Sequence, residues 1–281
     1  MLEIQNLHVK FHNQDREAVS GVSLTIQDGE ILGLVGESGS GKSVTAMSVA
    51  GLLPRKQCDY SGQILLDGQE LLHAERSALR KIQGADIGVV FQEPQSCMDP
   101  LMKIGPQVEE TLRIHTQMPK EERHQRALAA MAAAELPDPE GICDKYPHEL
   151  SGGMRKRVAL AQTLIMDPDI ILMDEPFSAL DIQTRQLMEN EVLALWSQKK
   201  KAVLFITHDL DEAISISDRV VVFSAGPGSH PIGEFYIDIA RPRDVAEVRV
   251  TPRFIELHNA IWADLREEVL KGYENQRNRV K

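Results

Sequence analysis

The sequence has few cysteines and no long apolar run. Three cysteines, Cys58, Cys97 and Cys143, lie far apart in 281 residues and form no C-x-x-C pair. Neither a zinc site nor a disulfide framework is therefore expected, and a reducing cytosol fits this usage. No stretch approaches the roughly 18 to 20 continuous apolar residues that cross a bilayer, and residues 1–10 have no signal-peptide pattern. If the protein works at a membrane, we expect other chains to hold it there.

The sequence also lacks a surplus of basic residues. Lys and Arg number 31 against 42 Asp and Glu, which gives a formal net charge of −11. Because binding to a phosphate backbone normally needs a basic face, this balance argues against nucleic acid as the main partner. We predict that the basic runs at residues 155–157 and 199–201 are solvated helix faces or loop ends.

A glycine-rich loop at residues 36–43, called the phosphate loop below, is the most informative pattern present. It follows the apolar run 31–35 and opens an amphipathic stretch that Pro54 closes, so a strand, a loop and a helix come in succession. Glycines let several backbone N–H groups point at phosphate oxygens, and the helix start adds the positive end of its dipole. Lys42 would reach the outer phosphates and the Ser43 hydroxyl would ligate Mg²⁺. We therefore predict that the chain binds a nucleoside triphosphate through Gly36, Glu37, Ser38, Gly39, Ser40, Gly41, Lys42 and Ser43.

Apolar, β-branched runs alternate with helical patterns and predict an α/β fold with a mostly parallel sheet. Before this core, residues 2–26 alternate apolar and polar side chains and predict an antiparallel β subdomain. Residues 94–166 are mostly helical and are predicted to form an inserted subdomain, with its clearest helices at 108–115 and 121–135. The length allows one large domain of this class but not two. The predicted strands of the core are residues 31–35, 87–91, 170–173, 203–206 and 220–223.

The tail after residue 230 contains a candidate amphipathic helix, because Phe254, Leu257, Ile261, Leu265 and Val269 share one helical face. We predict a main domain at residues 1–230 and a C-terminal extension at residues 231–281.

Polar side chains follow several of the predicted strands: Gln92, the pair Asp174 and Glu175, and His208. Carboxyl ends of parallel strands meet at one crevice, where these groups are expected to converge. Asp174 would hold Mg²⁺ through its water shell, and Glu175 would polarise a water that attacks the γ-phosphate. Glu175 and Lys42 are thus candidate catalytic residues, and His208 is expected to lie beside them.

A second glycine-rich turn, residues 150–154, begins another predicted helix with Ser151, Gly152 and Gly153. Such a turn can bind an anion, and its place between Gln92 and the Asp174–Glu175 strand makes the pattern specific.

These motifs, in this order, resemble the ATP-binding subunit of an ABC transporter over residues 1–230. The resemblance includes the motifs Phe91-Gln92-Glu93-Pro94, Ser178-Ala179-Leu180-Asp181 and Thr207-His208-Asp209. It implies a P-loop NTPase (RecA-like) core and a head-to-tail dimer that clamps each ATP between one subunit's phosphate loop and its partner's signature, Ser151, Gly152 and Gly153.

The resemblance also implies roles for single residues. Gln92 would ligate Mg²⁺, together with Ser43 and Asp174, and sense the membrane subunits. His208 would contact the γ-phosphate, and Asp181 would communicate across the dimer interface. Phe11 lies where the family places an aromatic ring on adenine; the alternative is that it is simply a core residue of the β subdomain.

Within the family, residues 35–43, 91–94 and 150–157 are most similar to dipeptide, oligopeptide and nickel importer ATPases. Residues 207–224 and 241–243 instead resemble nitrate, sulfonate and taurine importer ATPases, and the tail lacks the cysteines of several peptide-importer relatives. The implied cargo is a peptide, nickel or a related metal chelate or opine, with such anions as the alternative.

The implied partners are a second ATPase subunit (identical or sister), two permeases and a solute-binding protein, at the cytoplasmic face of the membrane. A soluble ABC ATPase of DNA repair or translation is a further alternative. It is disfavoured because the chain has neither a long coiled coil nor a duplicated cassette. A P-loop GTPase is disfavoured because no [NT]-K-x-D motif is present.

Overall fold

The computed structural model describes residues 1–93, 97–178 and 180–279, with side chains up to residue 271. Pro94 and Ala179, which belong to two of the motifs above, lie outside the described residues. The chain divides into two compact units. The first unit comprises Met1–Leu79 and Ala202–Lys281, and the second unit comprises Arg80–Lys201.

The first unit begins with an antiparallel sheet, as the alternating pattern predicts. Strand β1 (Leu2–Phe11) lies between β2 (Val19–Ile26) and β4 (Cys58–Leu66), and the short β5 (Gln69–Glu70) pairs with β4. Only β1 and β2 were predicted. β4 and β5 were missed because their apolar residues are separated by Gly62, Asp67 and Gly68, which read as loop.

The same unit contains the parallel strands that carry the phosphate loop. Strand β3 (Ile31–Val35) lies between β8 (Ala202–Thr207) and β9 (Arg219–Phe223), in parallel with both. All residues of these three strands are buried, which explains their continuous apolar sequences. Strand β10 (Pro231–Tyr236) adds an antiparallel edge beside β9.

Two helices of the first unit follow these strands directly. Helix α1 (Lys42–Val49) follows the phosphate loop and is shorter than the predicted stretch, because Gly51 turns the chain at φ 66°. Helix α8 (Leu210–Ile216) follows β8.

The C-terminal tail packs against the strands of the first unit. Helix α9 (Val245–Val248) is followed by the long α10 (Pro252–Arg279). The predicted apolar face of α10 is confirmed, since Phe254, Leu257, Ile261 and Leu265 share one buried cluster with Val35 of β3 and with residues of β9. The predicted boundary at residue 230 stays a prediction about domain organisation.

The second unit is mostly helical, with two parallel strands. Strand β6 (Ile87–Val90) pairs with β7 (Ile170–Asp174), so that Val90 lies opposite Met173. Helix α2 (Arg76–Ile82) leads into this unit. The other helices are α3 (Ile104–His115), α4 (Lys120–Ala133), α5 (Pro139–Cys143), α6 (Gly152–Leu164) and α7 (Ile182–Lys199).

The predicted helices of residues 94–166 are confirmed as α3 and α4, within a few residues at each end. Across the described parts of the chain, no helix is both long and apolar enough to cross a bilayer.

Candidate nucleotide site

The phosphate loop of the first unit encloses the Lys42 side chain. Lys42 is only 4% exposed, and its Nζ atom donates hydrogen bonds of 2.8 Å to the carbonyl oxygens of Gly36 and Glu37. A third contact, of 3.2 Å, joins Nζ to Ser40 Oγ. The loop thus holds a positive charge inside its own curve, next to the start of α1, where an anion is favoured.

Two glycines of this loop have conformations that other residues rarely adopt. Gly39 has φ +80° and Gly41 has φ +76°. Gly41 also lies close to its surroundings: a Cβ there would come within 2.8 Å of Val19 Cγ2 and 2.9 Å of the Ala18 carbonyl oxygen. The loop's curvature therefore depends on glycine for both backbone and steric reasons.

His208 lies at the carboxyl end of β8, whose last residue, Thr207, is opposite Val35 at the end of β3. The structure therefore brings His208 and the phosphate loop to the same edge of the first unit's parallel strands. His208 is exposed, whereas the residues around it are fixed. Thr207 Oγ1 donates a 2.6 Å hydrogen bond to the buried Glu212 and accepts one from the Asp209 amide.

Asp209 caps α8, because its Oδ1 atom accepts hydrogen bonds from the amides of Asp211 and Glu212. Glu212 was not singled out from the sequence. In the sequence, Glu212 stands among other acidic residues and looks like an exposed helix position. Only the fold shows that it is buried beside Thr207.

In the second unit, Gln92 and the Asp174–Glu175 pair lie together, as predicted, after the neighbouring strands β6 and β7. Gln92 Nε2 donates a 2.7 Å hydrogen bond to Glu175 Oε2. Glu175 has φ 46°, a left-handed conformation that is uncommon outside glycine. Such conformations cost about 1 to 3 kcal/mol and concentrate at functional sites.

The predicted magnesium ligands fit a hard cation by their chemistry. A hydroxyl (Ser43), an amide oxygen (Gln92) and a carboxylate (Asp174) are the oxygen donors that Mg²⁺ prefers. Ser43 is half-buried in the first turn of α1, and Asp174 is half-buried at the end of β7.

The second glycine-rich turn starts helix α6, as predicted. Ser151 is the N-cap, and its Oγ accepts a 3.3 Å hydrogen bond from the Met154 amide. Among the described residues, a Cβ on Gly152 would meet nothing within 4 Å, and one on Gly153 would meet only Thr184 Cγ2, at 3.8 Å. The packing of the described residues therefore does not require glycine at these two positions.

The basic run 155–157 differs from the prediction of a solvated face. Lys156 is 8% exposed, and its ammonium donates to the carbonyl oxygens of Pro176, at 2.7 Å, and Ser178. Arg157 pairs with Glu191 of α7. The prediction was wrong because α6 is covered by the turn after β7 and by α7, which the local pattern does not show.

Asp181 caps α7 by accepting a 3.0 Å hydrogen bond from the Thr184 amide. Hydrogen bonds from the side chain and from the amide of Thr184 lower the pKa of the exposed Asp181 carboxyl. Phe11 is half-buried at the end of β1, opposite Cys58, so part of its ring area remains accessible to a ligand. A role on adenine stays a prediction.

The two units thus present the parts of a P-loop nucleotide-binding protein. Comparison with known proteins identifies the family. A family profile described as ABC transporter matches residues 19–178, more than half of the chain. An uncharacterised ABC transporter ATP-binding protein of Methanocaldococcus jannaschii is 41% identical over 276 residues, which cover 96% of this chain and 93% of that protein.

Two further relatives have names that include a transported compound. The probable D,D-dipeptide transport ATP-binding protein DdpD of Escherichia coli is 42% identical over 80% of this chain and 70% of its own length. The oligopeptide transport ATP-binding protein OppD of Lactococcus lactis is 36% identical over 80% of this chain and 68% of its own length.

Among solved structures, a dimeric ATP-binding cassette in a post-hydrolysis state, bound to ADP and Pi, is similar with a TM-score of 0.74. It is 30% identical and covers 85% of this chain and 100% of its own. The chain belongs to the ABC transporter family, as an ATP-binding and ATP-hydrolysing subunit. The predicted family and the predicted fold class are thereby confirmed.

Proposed function

We propose that this subunit powers the uptake of a small peptide through a membrane transporter. The observation that supports this cargo is the similarity to two relatives whose names specify D,D-dipeptide and oligopeptide transport, over four-fifths of the chain in each case. Nickel, metal chelates or opines remain neighbouring cargo classes, and anions of the nitrate or taurine type are the second candidate.

The proposed chemistry is transfer of the γ-phosphoryl group of ATP to water. Lys42 and the amides of residues 36–43 bind the phosphates, and the ring of Phe11 stacks on the adenine. Glu175 accepts a proton from the attacking water, and Gln92 fixes the orientation of the Glu175 carboxylate through their hydrogen bond. His208 donates to the γ-phosphate from its place beside the end of β3.

Ser43, Gln92 and Asp174 are proposed to hold Mg²⁺, whose charge stabilises the negative charge on the phosphates during transfer. Each offers an oxygen ligand at the end of a strand or at the start of a helix.

The active form is proposed to be a head-to-tail dimer. Ser151, Gly152 and Gly153 then contact the nucleotide of the partner subunit, and Asp181 transmits the state of one site to the other. The space that the described residues leave around Gly152, and the exposure of Ser151, support a role outside their own chain. The related dimeric cassette bound to ADP and Pi gives the precedent for such pairing.

In the cell, the dimer is proposed to bind two permease subunits at the cytoplasmic face of the membrane and to serve a solute-binding protein. The second ATPase subunit is an identical copy or a sister chain. Residues around Gln92, up to about residue 106, are the proposed docking surface for the permeases, because they join Gln92 to the helices of the second unit.

The proposal is tested in two steps. Purified protein should bind ADP and ATP, and Lys42→Ala should abolish that binding. The permeases that copurify with the tagged chain from membranes are then reconstituted with it in vesicles, and uptake of a labelled dipeptide is measured. ATP-driven uptake of taurine or nickel in place of the dipeptide would reassign the cargo. Copurification with ribosomes or DNA, and with no permease, would contradict the transport function.

A further inference from the structure

Glu268 on α10 is a buried carboxylate that the proposed chemistry does not use. It is 6% exposed. Its Oε2 atom accepts a 2.6 Å hydrogen bond from the Ala225 amide, and its Oε1 atom accepts a 2.5 Å hydrogen bond from Lys271 Nζ. Burial of a carboxylate is unfavourable unless it is paired and hydrogen-bonded, and these two contacts supply both partners.

The residue that Glu268 holds belongs to a loop that lies against the phosphate loop. Residues 224–230, called the brace loop, connect β9 to β10. A Cβ on Gly226 would fall on the carbonyl oxygen of Gly39, so the backbone at Gly226 directly backs the phosphate loop. Just before the brace loop, Phe223 lies against Gly36, where a Cβ would come within 3.2 Å of the Phe223 carbonyl oxygen.

The other end of the brace loop is hydrogen-bonded to the first residues of β2 and to the residues just before it. The Gly228 amide donates a 2.6 Å hydrogen bond to the Glu17 carbonyl, and the Ser20 amide donates a 2.9 Å hydrogen bond to the Ser229 carbonyl. Between these two ties lie Ala18 and Val19, the residues that pack against Gly41. The phosphate loop is therefore held between two connected segments, one at Gly39 and one at Gly41.

We propose that Glu268 is a positioning residue for nucleotide binding: by fixing Ala225, it keeps Gly226 against Gly39 and holds the phosphate loop in its binding conformation. The left-handed glycines of that loop have many other conformations available. If only a fraction of the molecules have the phosphate loop in its binding conformation, the apparent affinity for the nucleotide is the intrinsic affinity multiplied by that fraction. The tail helix thus contributes to ATP affinity without touching the nucleotide.

The ionisation of Glu268 agrees with this role. Burial by itself raises the pKa of the Glu268 carboxyl, but the hydrogen bonds from Lys271 and from the Ala225 amide outweigh that effect, and the pKa is lowered. The side chain is therefore a carboxylate at neutral pH and accepts a charge-assisted hydrogen bond from the brace loop.

The test compares ADP affinity in Glu268→Ala, Glu268→Gln and Glu267→Gln, with Glu267 as the exposed neighbour on the same helix. ADP is used because its binding does not require the proposed dimer. We expect a Kd raised roughly tenfold in Glu268→Ala, about threefold in Glu268→Gln, which keeps an acceptor for Ala225, and unchanged in Glu267→Gln. Gly226→Ala should weaken ADP binding as Glu268→Ala does, and the double variant should be little worse than either single one.

Steady-state hydrolysis separates positioning from mere stability. Loss of positioning raises KM for ATP and leaves kcat at saturating ATP nearly unchanged, whereas loss of folded protein lowers kcat and leaves KM unchanged. If Glu268→Ala does not fold, Glu268→Gln and Gly226→Ala decide the question. Wild-type ADP affinity in those variants overturns the inference. The inference about Glu268 rests on the proposed nucleotide binding. If the wild-type chain itself binds no ADP, the proposed nucleotide binding is overturned, and not the role of Glu268.

Discussion

Gln92 donates its amide hydrogen to the Glu175 carboxylate across 2.7 Å. The contact joins the residues that follow two neighbouring parallel strands, and it fixes one oxygen of a side chain whose backbone is left-handed. A carboxylate held in this way has little rotational freedom, which suits a base that must face a water molecule.

Replacement of Glu175 by Gln should stop turnover and preserve binding. The amide is nearly isosteric but cannot accept the proton, so the hydrolysis rate should fall by roughly 10² to 10⁴. ATP affinity should stay within about twofold of wild type. A phosphate-release assay and a nucleotide titration measure the two quantities. Glu140→Gln, at an exposed acid in the same unit, should change neither. Hydrolysis at the wild-type rate in Glu175→Gln excludes the base role.

Replacement of Gly152 by Ala should separate folding from partner contact. A Cβ there meets no atom of the described part of the chain within 4 Å, and Ala is a better helix former by up to about 1 kcal/mol. The free energy of unfolding, from a urea titration, should therefore not fall. Dimer formation in Mg-ATP, measured by size-exclusion chromatography, should be lost, and so should hydrolysis.

Gly88→Ala provides the contrast for that experiment. Its Cβ would come within 2.5 Å of Thr163 Cγ2 and 3.1 Å of Pro168 Cγ, so the variant should lose stability because the second unit is overpacked. If Gly152→Ala destabilises the monomer as Gly88→Ala does, the second glycine-rich turn stabilises its own chain and does not act by contacting a partner.

Replacement of Lys156 by Met should destabilise the turn that follows the base. The buried ammonium holds the carbonyls of Pro176 and Ser178, and leaving such groups unpaired costs about 1 to 3 kcal/mol. We expect the free energy of unfolding to fall by that amount and the hydrolysis rate to fall with it, because Glu175 lies in the same turn. Lys145→Met, at an exposed site, is the control. If Lys156→Met and Lys145→Met have the same hydrolysis rate and the same free energy of unfolding, Lys156 does not stabilise this turn.

The stability contributed by Glu268 should depend on pH in a defined direction. Its folded pKa is lowered below 4.5 by the contacts described above, with Lys271 and His230 as the charged or titratable groups that face it. A lowered pKa contributes stability above the unfolded value, and this stability is lost as the pH falls through the folded pKa. The difference in unfolding free energy between wild type and Glu268→Ala should thus be largest near neutral pH and shrink in acid. A difference that grows below pH 4.5 means that the carboxyl is protonated when folded.

Strand, loop and helix succession around residues 36–43 could be predicted because every part of it is local. An apolar run, glycines and a lysine within a dozen residues specify their own conformation and chemistry. The apolar face of α10 was predictable for the same reason, since helical spacing shows it directly. Strands β4 and β5 were not predictable, because their pairing with β1 and with each other, and not their composition, makes them strands.

The amino-acid sequence by itself determined the phosphate loop and the family, and it predicted the residues that would act on phosphate. Only the tertiary structure decided which charged side chains are buried. Glu212, Lys156 and Glu268 look like surface residues in the sequence, yet each is almost fully covered and holds a backbone or hydroxyl group near a predicted site residue. The physical reason is that burial depends on chain segments far apart in sequence, and a buried charge must find partners wherever those segments bring them.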